Sequence, residues 1–188
     1  TLLRLRQLGE EKGVPIQGRL KEALTKMVRN EHHQGVVGIL AESLYASWED
    51  LLQAIGAKEK WSRVLLLDGL EDPQNFGSLI RTAEACGVAG IILPKDRAVG
   101  LTPAVLKSSA GAFAHIPIVR VTNLANSLED LKKEGFWIVG ADAKGKQNLY
   151  DMRFDFNVGV VIGSEGKGIR PLVLAKCDFT VAIPMVGK

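Results

Sequence analysis

The chain has 188 residues and a net charge of +3, with 46% hydrophobic and 24% charged residues. This composition predicts a globular protein of one or two domains with a buried core and excludes a disordered or low-complexity chain. No apolar run reaches membrane-spanning length and no secretory signal opens the sequence, so we expect a cytoplasmic protein that binds no membrane. The two cysteines and three histidines form no ligand cluster, so we expect no metal.

The first residues are the most basic part of the chain. Residues 1–29 hold seven Lys or Arg against three Glu, an excess of four that is larger than the net charge of the whole sequence. Such a segment is typical of a nucleic-acid-binding arm, although a solvated helix face is the commoner cause of a charge excess. Apolar periodicity predicts the elements of this region: helices over 2–12, 19–29 and 48–55, and strands over 14–17 and 36–40.

Strands and helices alternate after a polar stretch over residues 56–63, which we interpret as a linker. The predicted strands span 64–67, 90–93, 116–119, 137–141, 158–162 and 180–183. The predicted helices span 77–86, 102–109, 128–134 and 169–175. Because alternation of this kind is typical of a parallel sheet with helices on both faces, the predicted fold class is α/β. We also expect Ser127 and Asp130 to cap the third helix and Gly135 to end it.

Residues 75–87 join a polar turn to a short amphipathic helix, with Asn75 as the expected N-cap. A stripe at helical spacing should be buried, and it consists of Ile80, Ala83 and Cys86. Arg81 lies off that stripe, one turn above Gly77, whose missing side chain would let a ligand approach the helix. A guanidinium and a helix N-terminus both attract anions, which indicates a phosphate-bearing substrate. The alternative is an ordinary helix with a solvated arginine.

Residues 158–171 form a β-branched apolar run that ends in a glycine-rich loop. The run predicts a buried parallel strand, and ligands of open α/β sheets bind at the carboxyl ends of such strands. No Lys-Ser/Thr pair follows the last glycine of a G-x-x-x-x-G frame, which excludes a Walker A loop, and the G-x-x-G-x-G spacing argues against a dinucleotide fingerprint. Glu165 would repel a phosphate, so the loop is expected to hold a ligand without one. A plain strand-to-helix turn is the alternative. Downstream, residues 179–187 predict a strand that Pro184 ends.

These three segments resemble motifs of the SpoU–TrmH family of RNA ribose 2′-O-methyltransferases, within the SPOUT superfamily. The matching positions are Asn75, Gly77, Arg81, Thr82 and Ala83 in the first motif, Gly163, Glu165 and Gly168 in the second, and Ile183, Pro184 and Met185 in the third. The resemblance covers roughly residues 61–188, and the Ser-Leu-Asn continuation of the third motif does not follow. Three ordered motifs at family-like spacing are a strong signal, whereas one alone would be weak.

The resemblance implies transfer of a methyl group from S-adenosylmethionine to a ribose 2′-hydroxyl of structured RNA. It also implies a homodimer and a trefoil knot within residues 64–188, with the last part of the knot missing. It places the reaction at Arg81, with Asn75 contacting the substrate and Glu165 orienting Arg81. The implied cofactor contacts are Gly163, Ile183, Met185 and, as a weaker addition, Ala141.

The segment that begins at His32 resembles one that closes a small substrate-binding domain of many bacterial family members, a domain similar to ribosomal protein L30e. Residues 1–55 are therefore predicted to be the second half of such a domain, and the chain to be shortened at both ends. This branch of the family methylates a guanosine of 23S ribosomal RNA, which is the expected target, with transfer RNA as the alternative. A non-catalytic RNA-binding module is an alternative function. A Rossmann-type nucleotide enzyme is a further alternative, which the missing G-x-G-x-x-G turn opposes.

Overall fold

The computed structural model describes residues 2–28, 33–39 and 44–185, and the chain divides into two compact units, 1–42 and 43–188. The first unit contains helices α1 (Leu2–Lys12) and α2 (Lys21–Val28), close to their predicted bounds. Gly13 follows α1 in a left-handed conformation at φ 65°, as expected of a residue that ends a helix. Arg29, the last residue predicted for the second helix, lies outside the described residues.

The two strands predicted for the first unit are wrong over its described residues. Residues 14–17 and 36–39 have no regular structure, and no described strand pairs with either segment. A strand needs a hydrogen-bonded neighbour to satisfy its backbone, and without one Val14 and Ile16 stay half-exposed. His32 and Leu40 lie outside the described residues.

The second unit is built on a sheet of seven strands. They are β1 (Arg63–Asp68), β2 (Gly90–Pro94), β3 (Ile118–Val121), β4 (Trp137–Ala141), β5 (Gln147–Asn148), β6 (Val158–Gly163) and β7 (Phe179–Ala182). Their order is β3-β2-β1-β6-β4-β7-β5, and every pairing is parallel. The α/β class and the parallel sheet are confirmed. The two-residue strand β5 was not predicted, because it is too short to give a periodic signal.

Helices cover both faces of this sheet. They are α3 (Trp48–Gly56), α4 (Pro73–Ala85), α5 (Pro103–Ser108), α6 (Leu124–Lys133) and α7 (Pro171–Leu174). On one face, α3, α6 and α7 contribute Leu51, Leu128 and Val173 to the core. On the other, α4 and α5 contribute Phe76, Ile80 and Val105. Neighbouring β1 residues Leu66 and Leu67 belong to opposite cores, as the alternation of side chains along a strand requires.

Helix α3 belongs to the second unit, so the division between units falls before residue 43 and not at residue 55. The reason is burial, since Leu51 of α3 is fully buried in the core of the sheet. The stretch over residues 56–63 is also tied to this unit. Ser62 donates its N–H to Asn157 Oδ1 at 2.8 Å and its hydroxyl to the Ile55 carbonyl at 3.0 Å.

Helix α6 begins four residues earlier than predicted. Its N-cap is Asn123, whose Oδ1 accepts the Asn126 N–H at 3.3 Å. Ser127, the predicted cap, is therefore buried inside the helix and donates its hydroxyl to the Asn123 carbonyl. Gly135 follows the end of the helix with φ 81°, as predicted.

No helix in the described ranges is long and apolar enough to cross a membrane.

Candidate functional site

Strand register brings the predicted cofactor contacts to one edge of the sheet. Ala141, the last residue of β4, is aligned with Ile162 of β6 and with Val181 of β7. Because the strands are parallel, their carboxyl ends meet at this edge. Four residues predicted from the family resemblance lie there, at or just past the strand ends: Ala141, Gly163, Ile183 and Met185.

The loop after β6, residues 164–169, folds back on the end of its own strand. A Cβ on Gly163 would lie 2.1 Å from the Gly168 carbonyl carbon and 2.2 Å from the Ile169 nitrogen, so only glycine fits there. Ser164 and Gly168 exchange backbone hydrogen bonds of 3.2 and 2.9 Å, and Gly168 adopts φ 65°. We call residues 164–169 the glycine loop. Glu165 is exposed near its tip.

The first motif enters helix α4 through a cap that differs from the prediction. Asp72 is the N-cap, and its carboxylate accepts the Asn75 N–H at 2.7 Å. Pro73 occupies the first helical turn, where a missing N–H costs nothing. Asn75 was predicted as the cap and instead lies within the first turn, three residues after Asp72, with its side-chain amide available to another partner.

That partner is Glu165, because the Asn75 amide nitrogen donates to a carboxylate oxygen of Glu165. The structure thus brings together two of the three predicted catalytic residues. Arg81 is exposed on the same helix, and its side chain has no hydrogen bond or ion pair within the described residues. Among the described residues Glu165 bonds to Asn75 and has no hydrogen bond or ion pair with Arg81, so its orientation of Arg81 stays a prediction.

Two expectations about helix α4 are wrong. Gly77 does not open a path for a ligand, because a Cβ there would lie 1.9 Å from Ser108 Oγ of α5. Its missing side chain lets the two helices approach each other. Ile80 and Ala83 are buried as predicted, but Cys86 is exposed, because the helix ends at Ala85 and the buried stripe ends with it.

An ion pair between Asp68 and Arg170 was not predicted. Asp68 ends β1 with a fully buried side chain. Its Oδ2 accepts the Arg170 backbone N–H at 2.8 Å, and its Oδ1 accepts Nε at 2.7 Å and Nη2 at 2.6 Å. The available signal was an acid placed directly after the apolar run of β1, at the carboxyl end of a buried strand.

A cleft of about 300 Å³ lies near Arg170. Its lining consists of Thr122, Asn123, Leu124, Ala125, Arg170, Leu172 and Val173. None of the predicted site residues lines it. Among the described residues, no group of three or more His, Cys, Asp or Glu side chains could hold a metal ion.

Comparisons with known proteins agree on one family. A model of the SpoU rRNA Methylase family matches residues 62–188. YacO of Bacillus subtilis (strain 168) is 47% identical over 182 residues, or 97% of this chain and 73% of YacO. YacO is named as a TrmH family tRNA/rRNA methyltransferase.

Two solved structures are also similar. The SpoU methyltransferase AviRb from Streptomyces viridochromogenes, in complex with the cofactor AdoMet, is 30% identical with a TM-score of 0.65 over 74% of this chain and 56% of AviRb. A protein described for 2-OH methylation of C/U34 on tRNA is 29% identical with a TM-score of 0.61 over 68% of this chain and 83% of that one. The chain thus spans only part of the length of YacO and AviRb.

Proposed function

The chain belongs to the SpoU rRNA methylase family, and from this premise we propose that it transfers a methyl group from S-adenosylmethionine to a ribose 2′-hydroxyl of structured RNA. The observation that carries the proposal is the contact between Asn75 and Glu165, since it joins the first and second family motifs into one surface. The AdoMet complex of AviRb and the 2-OH methylation described for the tRNA-modifying protein support it.

The residues at the carboxyl edge of the sheet fit the proposed cofactor. Ile183 is half-exposed and Met185 is 83% exposed, and both follow the strand aligned with Ala141. Their apolar side chains suit an adenine ring and the methylene groups beside the sulfur, while the backbone at Gly163 and Ala141 offers polar groups that fix orientation. When bound, S-adenosylmethionine would supply an electrophilic methyl group on a positively charged sulfur. Glu165, exposed and anionic, suits a cationic donor and would repel a phosphate.

The proposed role of Arg81 is electrostatic. A ribose 2′-hydroxyl is a weak nucleophile that must lose its proton as it attacks. A guanidinium hardly deprotonates in a protein, so Arg81 is better suited to stabilise a phosphate and the developing alkoxide than to act as the base. Its exposure leaves the guanidinium available to RNA. Asn75 would contact the substrate and hold Glu165 in place.

The proposed target is a guanosine of 23S ribosomal RNA, with transfer RNA as the runner-up. We propose that residues 1–42 help to hold the RNA as part of an L30e-like domain. This revises the boundary predicted at residue 55, because α3 is buried in the second unit. The basic excess of residues 1–29 supports this role. A homodimer, a cytoplasmic location and a trefoil knot in the second unit complete the proposal, and the family membership supports each of them.

Methyl-transfer assays with tritiated S-adenosylmethionine and total RNA from a knockout strain test the chemistry. We expect label in RNA and its loss in an Arg81→Ala variant. Cofactor binding by calorimetry without any transfer would favour a non-catalytic RNA-binding module. Mapping of 2′-O-methyl marks in both RNAs identifies the target, and a mark lost only from transfer RNA would refute the ribosomal assignment.

A further inference from the structure

Asp68 holds both ends of the glycine loop. Its backbone is aligned with Gly163, where β6 gives way to the loop, and its carboxylate binds Arg170, directly after the loop. The side chain of Asp68 is fully buried, whereas that of Arg170 is 43% exposed. Two side-chain donors and one backbone donor therefore satisfy the buried carboxylate, which is the condition under which a buried charge is tolerated.

Asp68 also begins the chain segment that carries Asn75. Gly69 follows it in a left-handed conformation at φ 83°, and the turn then leads to the Asp72 cap of α4. Asn75 and Glu165 are thus carried by two segments that start side by side, one at Asp68 and the other at Gly163, with which Asp68 is paired. The ion pair joins these segments at their base, and the Asn75–Glu165 hydrogen bond joins them at the tip.

We propose that Arg170 is a positioning residue, which, through Asp68, holds the glycine loop so that Glu165 meets Asn75. The effect of Arg170 on catalysis rests on the proposed methyltransferase function, whereas its effect on the position of the loop does not. Arg170 is not expected to bind the RNA itself, because the carboxylate of Asp68 already neutralises its charge. Its paired geometry uses the planar fork of the guanidinium, which a lysine reproduces only in part.

A double-mutant cycle in the intact protein separates positioning from a structural contribution. We expect Arg170→Ala to lower kcat/KM for methyl transfer about 100-fold, the scale of a small misplacement in an active site. In a Glu165→Ala background the same change should cost less than about threefold, because the residue through which Arg170 acts is already gone. Arg170→Lys should recover part of the loss. A structural contribution alone would give the same factor in both backgrounds.

Lys176→Ala is the matched control. Lys176 has the same 43% side-chain exposure as Arg170 and pairs with Glu129 at 3.0 Å, but it lies outside the loop. An exposed pair of this kind contributes little, so activity should stay within about twofold of the parent.

Hydrogen exchange reads the loop without any catalysis. The Gly168 N–H donates to the Ser164 carbonyl at 2.9 Å and should exchange at least about tenfold faster in Arg170→Ala, while amides of α6 keep their rates. If the protein transfers no methyl group, the proposed function fails but this measurement still decides the positioning role. Unchanged Gly168 exchange, or equal factors in the cycle, would overturn the proposal. If Arg170→Ala does not fold, Arg170→Lys carries both measurements, with smaller changes in the same directions, and parent-like values there would equally overturn it.

Discussion

Asn75 and Glu165 lie 90 residues apart in the sequence, and the side-chain amide of Asn75 donates a hydrogen bond to the carboxylate of Glu165. The contact depends on two local features. Asp72 caps helix α4, so the side-chain amide of Asn75 is not needed as the cap. The glycine loop folds back on the end of β6 and brings Glu165 next to Asn75. One surface therefore contains residues from two distant motifs, with Arg81 further along the same helix.

Replacement of Arg81 by alanine should abolish methyl transfer and leave cofactor binding intact. We expect kcat to fall by at least about 100-fold, as for removal of an electrostatic stabiliser, and the Kd for S-adenosylmethionine to change less than about threefold. The melting temperature should not change, since the Arg81 side chain has no hydrogen bond or ion pair within the described residues. Arg81→Lys should rescue poorly, because an ammonium lacks the guanidinium fork.

The control is Arg63→Ala, which removes an exposed arginine at the opposite end of the sheet. Turnover close to the parent's in Arg81→Ala would remove Arg81 from the site.

Two glycines of one segment should respond differently to alanine. A Cβ on Gly163 would overlap the backbone of Gly168 and Ile169, whereas a Cβ on Gly166 has no atom within 4 Å. Gly163→Ala should destabilise the fold by about 1–3 kcal/mol or more and weaken cofactor binding, since backbone must shift to admit the methyl group. Thermal unfolding and calorimetry measure both effects. Gly166→Ala should change stability and cofactor affinity little. Equal losses of stability and affinity in the two variants would contradict the importance of the close contact between Gly163 and the glycine loop.

Deletion of residues 1–42 should weaken RNA binding and flatten its salt dependence. Fewer phosphate contacts release fewer counterions, so the slope of log K against log salt becomes shallower. S-adenosylmethionine binding should survive, because its proposed contacts lie in residues 141–185. Deletion to residue 55 should instead lower the melting temperature, because it removes the fully buried Leu51 from the core. Salt-dependent RNA titration and calorimetry test the first deletion, and an unchanged salt slope would contradict an RNA role for this unit.

The two cysteines should react at very different rates. Burial raises the pKa of the Cys177 thiol to about 11, so it stays protonated at pH 8, and the thiolate is the reactive form. Cys86 is exposed and should be alkylated first by iodoacetamide, as read by mass spectrometry. Between pH 9 and the raised pKa, the unfolded chain loses the Cys177 proton before the folded one does, so stability should fall as pH rises. A Cys177→Ala variant should lack that part of the pH dependence, and equal labelling rates in the native protein would contradict the assignment.

The parallel sheet could be predicted from sequence because buried strands and amphipathic helices leave periodic signals. All six strands predicted in the second unit exist, with shifts of one or two residues at most ends. The helix starts were harder to predict. Asp72 and Pro73 form a cap and a first-turn proline, a pattern that outweighs the capping tendency of Asn75. Burial of Cys86 follows from the apolar pattern only if the helix continues past Ala85, which it does not.

The site could be predicted only motif by motif. Family resemblance brought out Asn75, Arg81 and Glu165, but the contact between Asn75 and Glu165 depends on the register of β1 with β6. The ion pair of Asp68 and Arg170 also depends on strand register. Because these residues lie 102 positions apart, no periodic pattern in the sequence indicates that they meet. Gly77 shows a further limit, since a glycine that admits a ligand and one that admits a neighbouring helix look alike in sequence.

The strand order has a consequence for synthesis on the ribosome. Strand β6 lies between β1 and β4 although it is translated after both, and β7 follows later still. Until residues 158–163 emerge, the nascent chain leaves the backbone edge of β1 that pairs with β6 without a partner, and such an edge invites pairing with other chains. We therefore expect the nascent protein to depend on chaperone protection late in translation. Cofactor binding should begin only after the segment around β7 has left the exit tunnel.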